Sequence, residues 1–307
     1  MQLSSPMPQD DGRREARLAV GVVSAGRVGS VLGAALRRAG HTIVAASGVS
    51  AASVRRAENL LPDVPLLSPD EVARQADLVL LALPDDALAG TVRGLVATES
   101  LRAGQIVIHT SGAHGVDVLQ PAAEIGALCI ALHPAMTFTG REEDIERLGT
   151  ACIGITAADG DDAAANVGEA LAVEMGAEPV RIPQSARPLY HAALTHGANH
   201  LITLVADSTD LLRRAGIENA DRVLGPLLSA ALDNALRHGD RALTGPVARG
   251  DAGTVRAHLG VLVDEASDVL PSYTALANRT AVRARASGML REDGYAAING
   301  VLGGGNQ

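Results

Sequence analysis

The segment from Ser24 to Gly29 has residue types that could bind the pyrophosphate of a dinucleotide. It follows an apolar run and precedes a helical pattern. In the G-x-G-x-x-G fingerprint, the second glycine lets backbone N–H groups reach the pyrophosphate and the third lets the helix pack closely. Gly26 and Gly29 occupy those two positions, and Ser24 replaces the first glycine; the alternative is a tight turn without a ligand. The predicted cofactor contacts here are Ser24, Ala25, Gly26, Arg27, Val28 and Gly29.

The end of the second predicted strand indicates which dinucleotide is bound. An acidic residue about twenty residues after the glycines would bind the ribose hydroxyls of NAD. The chain has Ser47 and Ser50 there instead, followed by Arg55 and Arg56. Small hydroxyls with arginines suit a 2′-phosphate. We therefore predict NADP as the cofactor, with contacts from both serines. The alternative is that the two arginines form a solvated helix face.

The third predicted strand ends at Leu83, where sheets of this kind line the cofactor crevice. Leu83, Pro84 and Asp85 are therefore predicted to contact the cofactor. Alternatively, Asp85 and Asp86 are acids in the first turn of the next helix, where a negative charge is favourable.

Two more predicted strands end in polar segments. Ser111 and Gly112 follow one of them, and His133 ends the next. Ligands of open parallel sheets gather beyond the carboxyl ends of the strands, so both segments are candidates for the substrate side. His133 is either a catalytic residue or a structural one whose ring bonds to backbone. His109 and His114 are expected to be structural or solvated.

Farther along, His191, Thr195 and Asn199 recur every four residues, which places them on one face of a helix. They are predicted catalytic residues. His196 and His200 have the spacing of a metal-binding pair, but no third ligand is identifiable, so we predict an ordinary helix surface and no metal.

The segment from Thr244 to Asp251, which includes Arg249, is predicted to begin a helix that carries His258. A hydroxyl, a guanidinium and a carboxylate in a fixed turn could bind the substrate as an anion clamp, because arginine presents two parallel donors to a carboxylate. The alternative is an Arg249–Asp251 pair that fixes the turn.

The composition limits the partners. The chain has 307 residues, enough for about two domains, and a net charge of −9. That sign is wrong for nucleic-acid binding, and one Phe, three Tyr and no Trp leave few rings for base stacking. All 26 basic residues are arginine, so lysine chemistry is excluded.

Cys129 and Cys152 lie in apolar runs and are expected to pack as small hydrophobes.

Apolar runs alternate with helical patterns up to residue 183, and this favours parallel βα units. The predicted strands are Leu18–Val23, His41–Ala46, Asp77–Leu83, Gln105–His109, Ala127–Leu132, Ala151–Thr156 and Glu178–Ile182. Helical patterns rich in Ala, Leu and Arg follow. We expect a mobile tail (residues 1–16), a dinucleotide-binding domain (17–183), a helical domain (184–290) and a C-terminal tail (291–307). No apolar stretch could span a bilayer and the first residues do not form a signal peptide, so we expect a cytoplasmic protein without membrane partners.

Taken together, several of these segments resemble a known family. They are the glycine loop, Leu83-Pro84-Asp85-Asp86, His109-Thr110-Ser111-Gly112, Leu132-His133-Pro134, Tyr190-His191 and Thr244-Gly245-Pro246. Over residues 17–285 the chain is similar to Rossmann-like oxidoreductases whose helical C-terminal domain is of unknown function. The resemblance implies an α/β Rossmann domain followed by an all-helical dimerisation domain like the C-terminal domain of 6-phosphogluconate dehydrogenase. It also implies similarity to ketopantoate reductase, pyrroline-5-carboxylate reductase and the 3-hydroxyacid dehydrogenases.

The resemblance also bears on single residues. Ser111 and the amides around Gly112 resemble the serine segment that receives the substrate carboxylate in 3-hydroxyacid dehydrogenases. Those enzymes use a Lys and an Asn four residues apart, and here Thr195 stands where the lysine would fall. The proton donor is then expected to be His133 or His191, or a water held by Thr195 and Asn199.

The predicted function is an NADPH-dependent reductase of a small oxoacid or imino acid, with a ketopantoate-type substrate as the best single candidate. Its site is expected between the two domains, and a homodimer is expected to form through the helical domain. The alternative is a non-catalytic NADP(H)-binding sensor or scaffold, because a missing lysine fits that role as well.

Overall fold

The computed structural model describes residues 17–303, so the predicted tail of residues 1–16 lies outside the described range. The chain divides into two compact units. Unit 1 ends at Thr195, and unit 2 begins at His196.

Unit 1 contains a seven-stranded sheet with the strand order β2-β1-β3-β4-β5-β6-β7. Each predicted strand is present, with its ends shifted by at most two residues. The strands are β1 (Ala19–Val23), β2 (Thr42–Ala46), β3 (Leu78–Leu81), β4 (Ile106–His109), β5 (Leu128–Pro134), β6 (Cys152–Thr156) and β7 (Glu178–Arg181). The chain leaves β1 for β2 on one side and reaches β3 on the other side. This reversal opens a crevice at the carboxyl ends of β1 and β3.

Eight α-helices belong to the described part of unit 1; seven lie between the strands, and α8 follows β7. They are α1 (Arg27–Arg38), α2 (Ala51–Leu60), α3 (Pro69–Gln75), α4 (Asp85–Ala97), α5 (Gln120–Glu124), α6 (Glu143–Leu148), α7 (Asp162–Glu174) and α8 (Arg187–Leu194). Helices cover both faces of the sheet, so its central strands are apolar on both faces. On β3, Leu78 and Leu80 pack into one core cluster, and Val79 and Leu81 pack into another.

One strand pair departs from the predicted parallel arrangement. β5 and β6 are antiparallel, with Pro134 opposite Ile153. The connecting helix α6 packs beside α1 instead of crossing the sheet. The chain therefore enters β6 from the end at which it left β5.

Unit 2 is helical in its described part. Its helices are α9 (His200–Arg214), α10 (Ala220–His238), α11 (Gly245–Arg249), α12 (Ala252–Glu265), α13 (Leu270–Ala286) and α14 (Glu292–Gly303). Helices α11 to α14 share a core of small and aliphatic side chains that includes Val255, Ala281 and Ile298. By contrast, α9 has no buried residue, and only Ala220 and Leu224 are buried on α10.

Two predicted boundaries differ from those in the structure. The first unit extends to Thr195 instead of residue 183, because α8 places the buried Arg187 side chain against the strands of unit 1. The expected C-terminal tail is instead helix α14, which buries Ile298 and Leu302. Its apolar spacing completes the core of unit 2. No helix within residues 17–303 combines the length and apolarity needed to cross a membrane.

Candidate functional site

The turn after β1 has the backbone geometry that a dinucleotide fingerprint requires. Ser24 has a φ of 76°, the left-handed conformation that favours glycine. Its backbone N–H donates to the Ser47 hydroxyl at 2.9 Å, and the Ala25 N–H donates to the Ser47 carbonyl at 2.6 Å. Ser47 therefore supports the turn from the end of β2, and this is how a serine is held at the first glycine position.

The two glycines of this turn leave room beside the start of α1. Gly26 is the N-cap of α1, and no side chain caps the first N–H groups of that helix. A Cβ atom on Gly29 would lie 2.2 Å from the Ser24 carbonyl oxygen, so only glycine fits there. An uncapped helix N-terminus behind a glycine turn suits a pyrophosphate. Ala25 is buried with its N–H bonded to Ser47, which leaves it a role in shaping the turn.

The groups available for a 2′-phosphate differ from the predicted serines. Ser47 is buried and faces the turn, and the Ser50 hydroxyl accepts a hydrogen bond from the Ser53 N–H as the N-cap of α2. In contrast, Arg27 and Arg56 both lie against Gly140, where a Cβ would be 3.0 Å from Arg27 Cγ and 2.8 Å from Arg56 Cδ. Within residues 17–303, neither guanidinium forms an ion pair. These two side chains are therefore free cations that both lie beside Gly140.

At the end of β3, Leu83 is half-buried, and Pro84 and Asp85 are exposed. Pro84 is the N-cap of α4, and Asp85 and Asp86 occupy its first turn. The two carboxylates therefore fit the alternative role of acids that favour the helix N-terminus.

His109 has the structural role expected of it. The side chain is fully buried, and its Nδ1 accepts a hydrogen bond from the Ser111 N–H at 3.2 Å. The proton is therefore on Nε2, which donates to the Gly115 carbonyl at 2.9 Å. Burial lowers the pKa of His109 to about 4, so the ring is neutral near pH 7. The ring fixes the segment that carries Ser111 and Gly112.

Three predicted residues come together at the ends of β4 and β5. The rings of His133 and His191 are perpendicular, with centroids 6.3 Å apart. A Cβ on Gly112 would lie 2.8 Å from His133 Nε2 and 2.7 Å from His191 Cδ2. Both imidazoles therefore lie directly against the Gly112 backbone. The His133–His191–Gly112 cluster also contains Tyr190, whose hydroxyl is 3.0 Å from His133 Nδ1.

A buried arginine beneath this cluster was not predicted. Arg187 is 1% exposed. Its guanidinium donates to the Thr156 hydroxyl at 2.7 Å and to the carbonyls of Ala131 at 2.9 Å, Gly154 at 3.0 Å and Ser111 at 3.4 Å. Burial lowers its pKa to about 10, so the group is a cation at neutral pH, without a carboxylate partner in the described residues. It joins the segment after β4 to strands β5 and β6.

The charge of Arg187 changes what His133 can do. Burial first, and then the charges of Arg187 and His191, lower the pKa of His133 to about 4. His133 is therefore neutral at pH 7, whereas its unperturbed pKa suggested an acid. Burial raises the pKa of Tyr190, although Arg187 opposes this. His133 and Tyr190 are thus both neutral beside the positive charge of Arg187. A positive field of this kind favours an anionic or electron-rich ligand.

Two backbone N–H groups next to the His133–His191–Gly112 cluster have no hydrogen-bond acceptor in the described part of the chain. No described residue accepts a hydrogen bond from the N–H of Gly112 or Ala113. The Ser111 hydroxyl accepts one from the His114 N–H at 3.1 Å, which holds this turn closed on itself. Free N–H groups beside two imidazoles and above a buried cation are suited to a carboxylate or a carbonyl oxygen. Sequence reasoning did not assign Arg187 or Tyr190 to this site. The one signal that could have found Tyr190 is the Tyr190-His191 segment, which is part of the family resemblance.

The predicted stripe on the following helix is interrupted. Thr195–Asn199 form a π-helical turn, in which residues four apart no longer superimpose as they do on an α-helix. Thr195 ends unit 1, and Asn199 is an exposed residue of unit 2. His196 and His200 are exposed with their Nδ1 atoms 3.0 Å apart. Among residues 17–303, no group of three or more His, Cys, Asp or Glu could hold a metal.

The predicted anion clamp in unit 2 is divided between two helices. Thr244 is the N-cap of α11, whereas Asp251 caps α12 and accepts hydrogen bonds from the Thr254 N–H at 3.0 Å and hydroxyl at 2.7 Å. Those bonds lower the pKa of Asp251. Arg249 is exposed and makes no ion pair with Asp251 in the described structure, so the alternative pair is wrong. Gly250, at a φ of 75°, separates the two helices, so Thr244 does not begin the helix that carries His258.

The two cysteines differ as well. Cys129 is buried, as expected of a small hydrophobe, and burial raises the pKa of its thiol to about 11. Cys152 is exposed, because it is the first residue of β6. The apolar run begins only after it.

The sequence matches two known domain families. Residues 4–134 match the Rossmann-like domain, and residues 151–280 match the domain of unknown function DUF2520. None of the curated proteins matches the chain.

Several solved structures share the fold. A proposed NADP oxidoreductase from Bacteroides fragilis is 23% identical with a TM-score of 0.73, over 86% of this chain and 98% of that one. A protein from Thermotoga maritima is 17% identical with a TM-score of 0.65, over 88% and 99%. Pyrroline carboxylate reductase from Plasmodium falciparum, with NADP bound, is 12% identical with a TM-score of 0.55, over 92% and 98%. At these identities the likeness establishes the fold. The chain is therefore a Rossmann-like domain followed by a DUF2520 domain.

Proposed function

We propose that this chain is an NADPH-dependent reductase of a carbonyl or imine group in a small acid. One observation carries the proposal. The glycine turn follows β1, Gly112 follows β4, and His133 lies at the carboxyl end of β5, with His191 packed against Gly112. These three parallel strands end at one edge of the same sheet. That edge is where open α/β sheets bind their ligands. The similarity to an NADP-bound pyrroline carboxylate reductase and to an NADP oxidoreductase supports the same class.

In this proposal each group of residues has one task. The turn at Gly26 and Gly29 binds the pyrophosphate, and the nicotinamide, when bound, supplies the hydride. The free N–H groups of Gly112 and Ala113, in the field of the buried Arg187, hold the substrate carboxylate or the reacting oxygen.

The two histidines divide the tasks of orienting the substrate and donating the proton. Hydride addition to a C=O or C=N group leaves an oxygen or nitrogen that must take up one proton. His133 is neutral at pH 7, so its role is to donate a hydrogen bond and orient the substrate. His191, which also lies against Gly112, is then the proton donor.

The substrate class follows from the charge of this site. A buried cation and free N–H donors favour an acid, so 2-oxoacids of the ketopantoate type and cyclic imino acids are the candidates. The proposal is tested by following NADPH absorbance with a panel of both substrate classes. Consumption with at least one acid, and none with its neutral amide, is the expected result. Tight NADPH binding with no turnover on any of them would favour the non-catalytic sensor.

The cofactor preference provides a second test. Because Arg27 and Arg56 are free cations that both lie beside Gly140, NADPH is expected to bind at least about tenfold more tightly than NADH, a difference of about 1.4 kcal/mol. Arg56→Ala should remove most of this preference and leave NADH affinity unchanged. The matched control is Arg55→Ala, on the exposed side of the same helix. Equal affinity of the wild-type protein for both cofactors would contradict the NADP assignment.

We also propose that unit 2 forms a homodimer. On helix α10 the exposed fractions are 62% for Leu227, 52% for Leu232 and 79% for Leu236. A group of exposed leucines of this kind marks a protein–protein contact surface. A dimeric mass is expected at micromolar concentration, and Leu232→Glu with Leu236→Glu should convert it to the monomer. The control is Val173→Glu, an exposed apolar position of unit 1. A monomeric wild-type mass would be inconsistent with this interface.

A further inference from the structure

Unit 2 contains a cavity that has no part in the proposed reductase. Its volume is about 340 Å³, within the range of small-molecule sites, and all of its lining residues belong to α9, α11, α12, α13 and the adjoining turns. Most of the wall is aliphatic, including Leu211, Val247, Val269 and Ala277. Three of these side chains are almost completely buried, whereas Leu211 is half-buried. The cavity is therefore built into the helix packing.

The charge of this wall has one sign. Asp207 is the one carboxylate among the lining residues, and no arginine lines the cavity. Its carboxylate is half-buried and forms no ion pair or hydrogen bond within the described chain. This unpaired carboxylate therefore lines a mostly aliphatic space.

The serine hydroxyls of the wall add acceptors. The Ser208 hydroxyl donates to the Leu204 carbonyl at 2.7 Å, and the Ser272 hydroxyl donates to the Val269 carbonyl at 2.8 Å. Each hydroxyl has one hydrogen and two lone pairs, so what both offer to the cavity is their oxygen lone pairs. A ligand that donates hydrogen bonds is therefore favoured over one that accepts them.

An aromatic ring completes the wall. Tyr273 lines the cavity and is fixed by a hydrogen bond of 2.9 Å between its hydroxyl and His258 Nδ1. An aromatic ring in the wall of a cavity that also contains a carboxylate can attract a cation in addition to the charge pair.

We propose that this cavity binds a small organic ammonium ion with an aliphatic or alicyclic body. The ammonium group pairs with Asp207 and donates to the Ser208 and Ser272 oxygens, and the hydrocarbon part lies against Leu211, Val247 and Ala277. The inference does not depend on the reductase activity, because every residue it uses belongs to unit 2.

The test uses the full chain and three probes that share a cyclohexyl body: cyclohexylammonium, cyclohexanol and cyclohexanecarboxylate. Calorimetry or ligand-observed NMR is expected to show saturable binding of the ammonium, binding of the alcohol at least about tenfold weaker, and no binding of the carboxylate. Asp207→Asn should weaken ammonium binding at least about tenfold. The matched control is Asp210→Asn, which makes the same charge change on the same helix outside the cavity and should leave the affinity unchanged.

Three outcomes would overturn the proposal: equal binding of all three probes, unchanged affinity in Asp207→Asn, or no ammonium binding at concentrations up to about 10 mM. Binding to monomer alone would also overturn it, because a second copy of the chain would then be the occupant of the cavity. NADPH affinity should be unaltered in Asp207→Asn, so a failure here is distinguishable from a failure of the proposed reductase.

Discussion

Replacing His191 with alanine is expected to lower turnover at least about 100-fold while NADPH affinity stays within about threefold. A positioned general acid contributes about 10²–10⁴-fold, and this chain has no lysine to take over the task. His191 lies against Gly112 beside the free N–H groups that would hold the substrate. The measurement is NADPH consumption with a substrate validated on the wild-type protein, alongside cofactor titration.

Two further variants separate the roles of the histidines. Tyr190→Phe removes the hydroxyl that holds His133 and should raise KM more than it lowers kcat, because His133 orients the substrate. The control is His114→Ala. His114 is an exposed histidine two residues after Gly112, and this variant should retain full activity.

The pH profile identifies the acid. An acid must be protonated to act, so activity falls as pH rises through its pKa. Because the pKa of His133 is about 4, a profile governed by His133 would fall already above pH 5, whereas a later fall excludes it. Near-normal turnover in both His191→Ala and His133→Ala would refute the histidine mechanism. A water held by polar groups such as Thr195 would then be the better account.

Replacing Arg187 with methionine is expected to destabilise the protein by about 3 kcal/mol or more. The guanidinium donates to three carbonyl oxygens and the Thr156 hydroxyl in a buried site, and methionine removes this donor from all four. Arg187→Lys keeps the charge, but one ammonium cannot reach all of the acceptor oxygens on β5, β6 and the segment after β4. A smaller loss, about 2 kcal/mol, is expected.

Thermal unfolding measures the loss, and hydrogen exchange of the β4–β6 amides locates it. The control is Arg102→Met, whose exposed ion pair with Asp77 should contribute less than about 1 kcal/mol. If Arg187→Met unfolds at the wild-type temperature, Arg187 does not have the structural role that its hydrogen bonds indicate.

Local patterns predicted the framework of unit 1 well. The strands were recognisable because a buried parallel strand is an apolar run, and the glycine turn after β1 because Gly26 and Gly29 keep their spacing. The roles of Ser47 and of helix α14 were missed. Ser47 bonds to a backbone group 23 residues earlier, and α14 is packed by α12 and α13, so neither role leaves a mark on the adjacent sequence.

By itself, the sequence determined a parallel α/β unit followed by helices, a glycine turn for a dinucleotide, and chemistry without lysine. These follow from residue type and short-range spacing, which act within a few residues. Only the tertiary structure decided that β6 is antiparallel to β5, that Arg27 and Arg56 share the space beside Gly140, and that Arg187 lies buried beneath His133 and Tyr190. Each of these depends on contacts between distant segments. Burial then turned His133 from a potential acid into a neutral group, because its pKa responds to the surrounding fold and to the charge of Arg187.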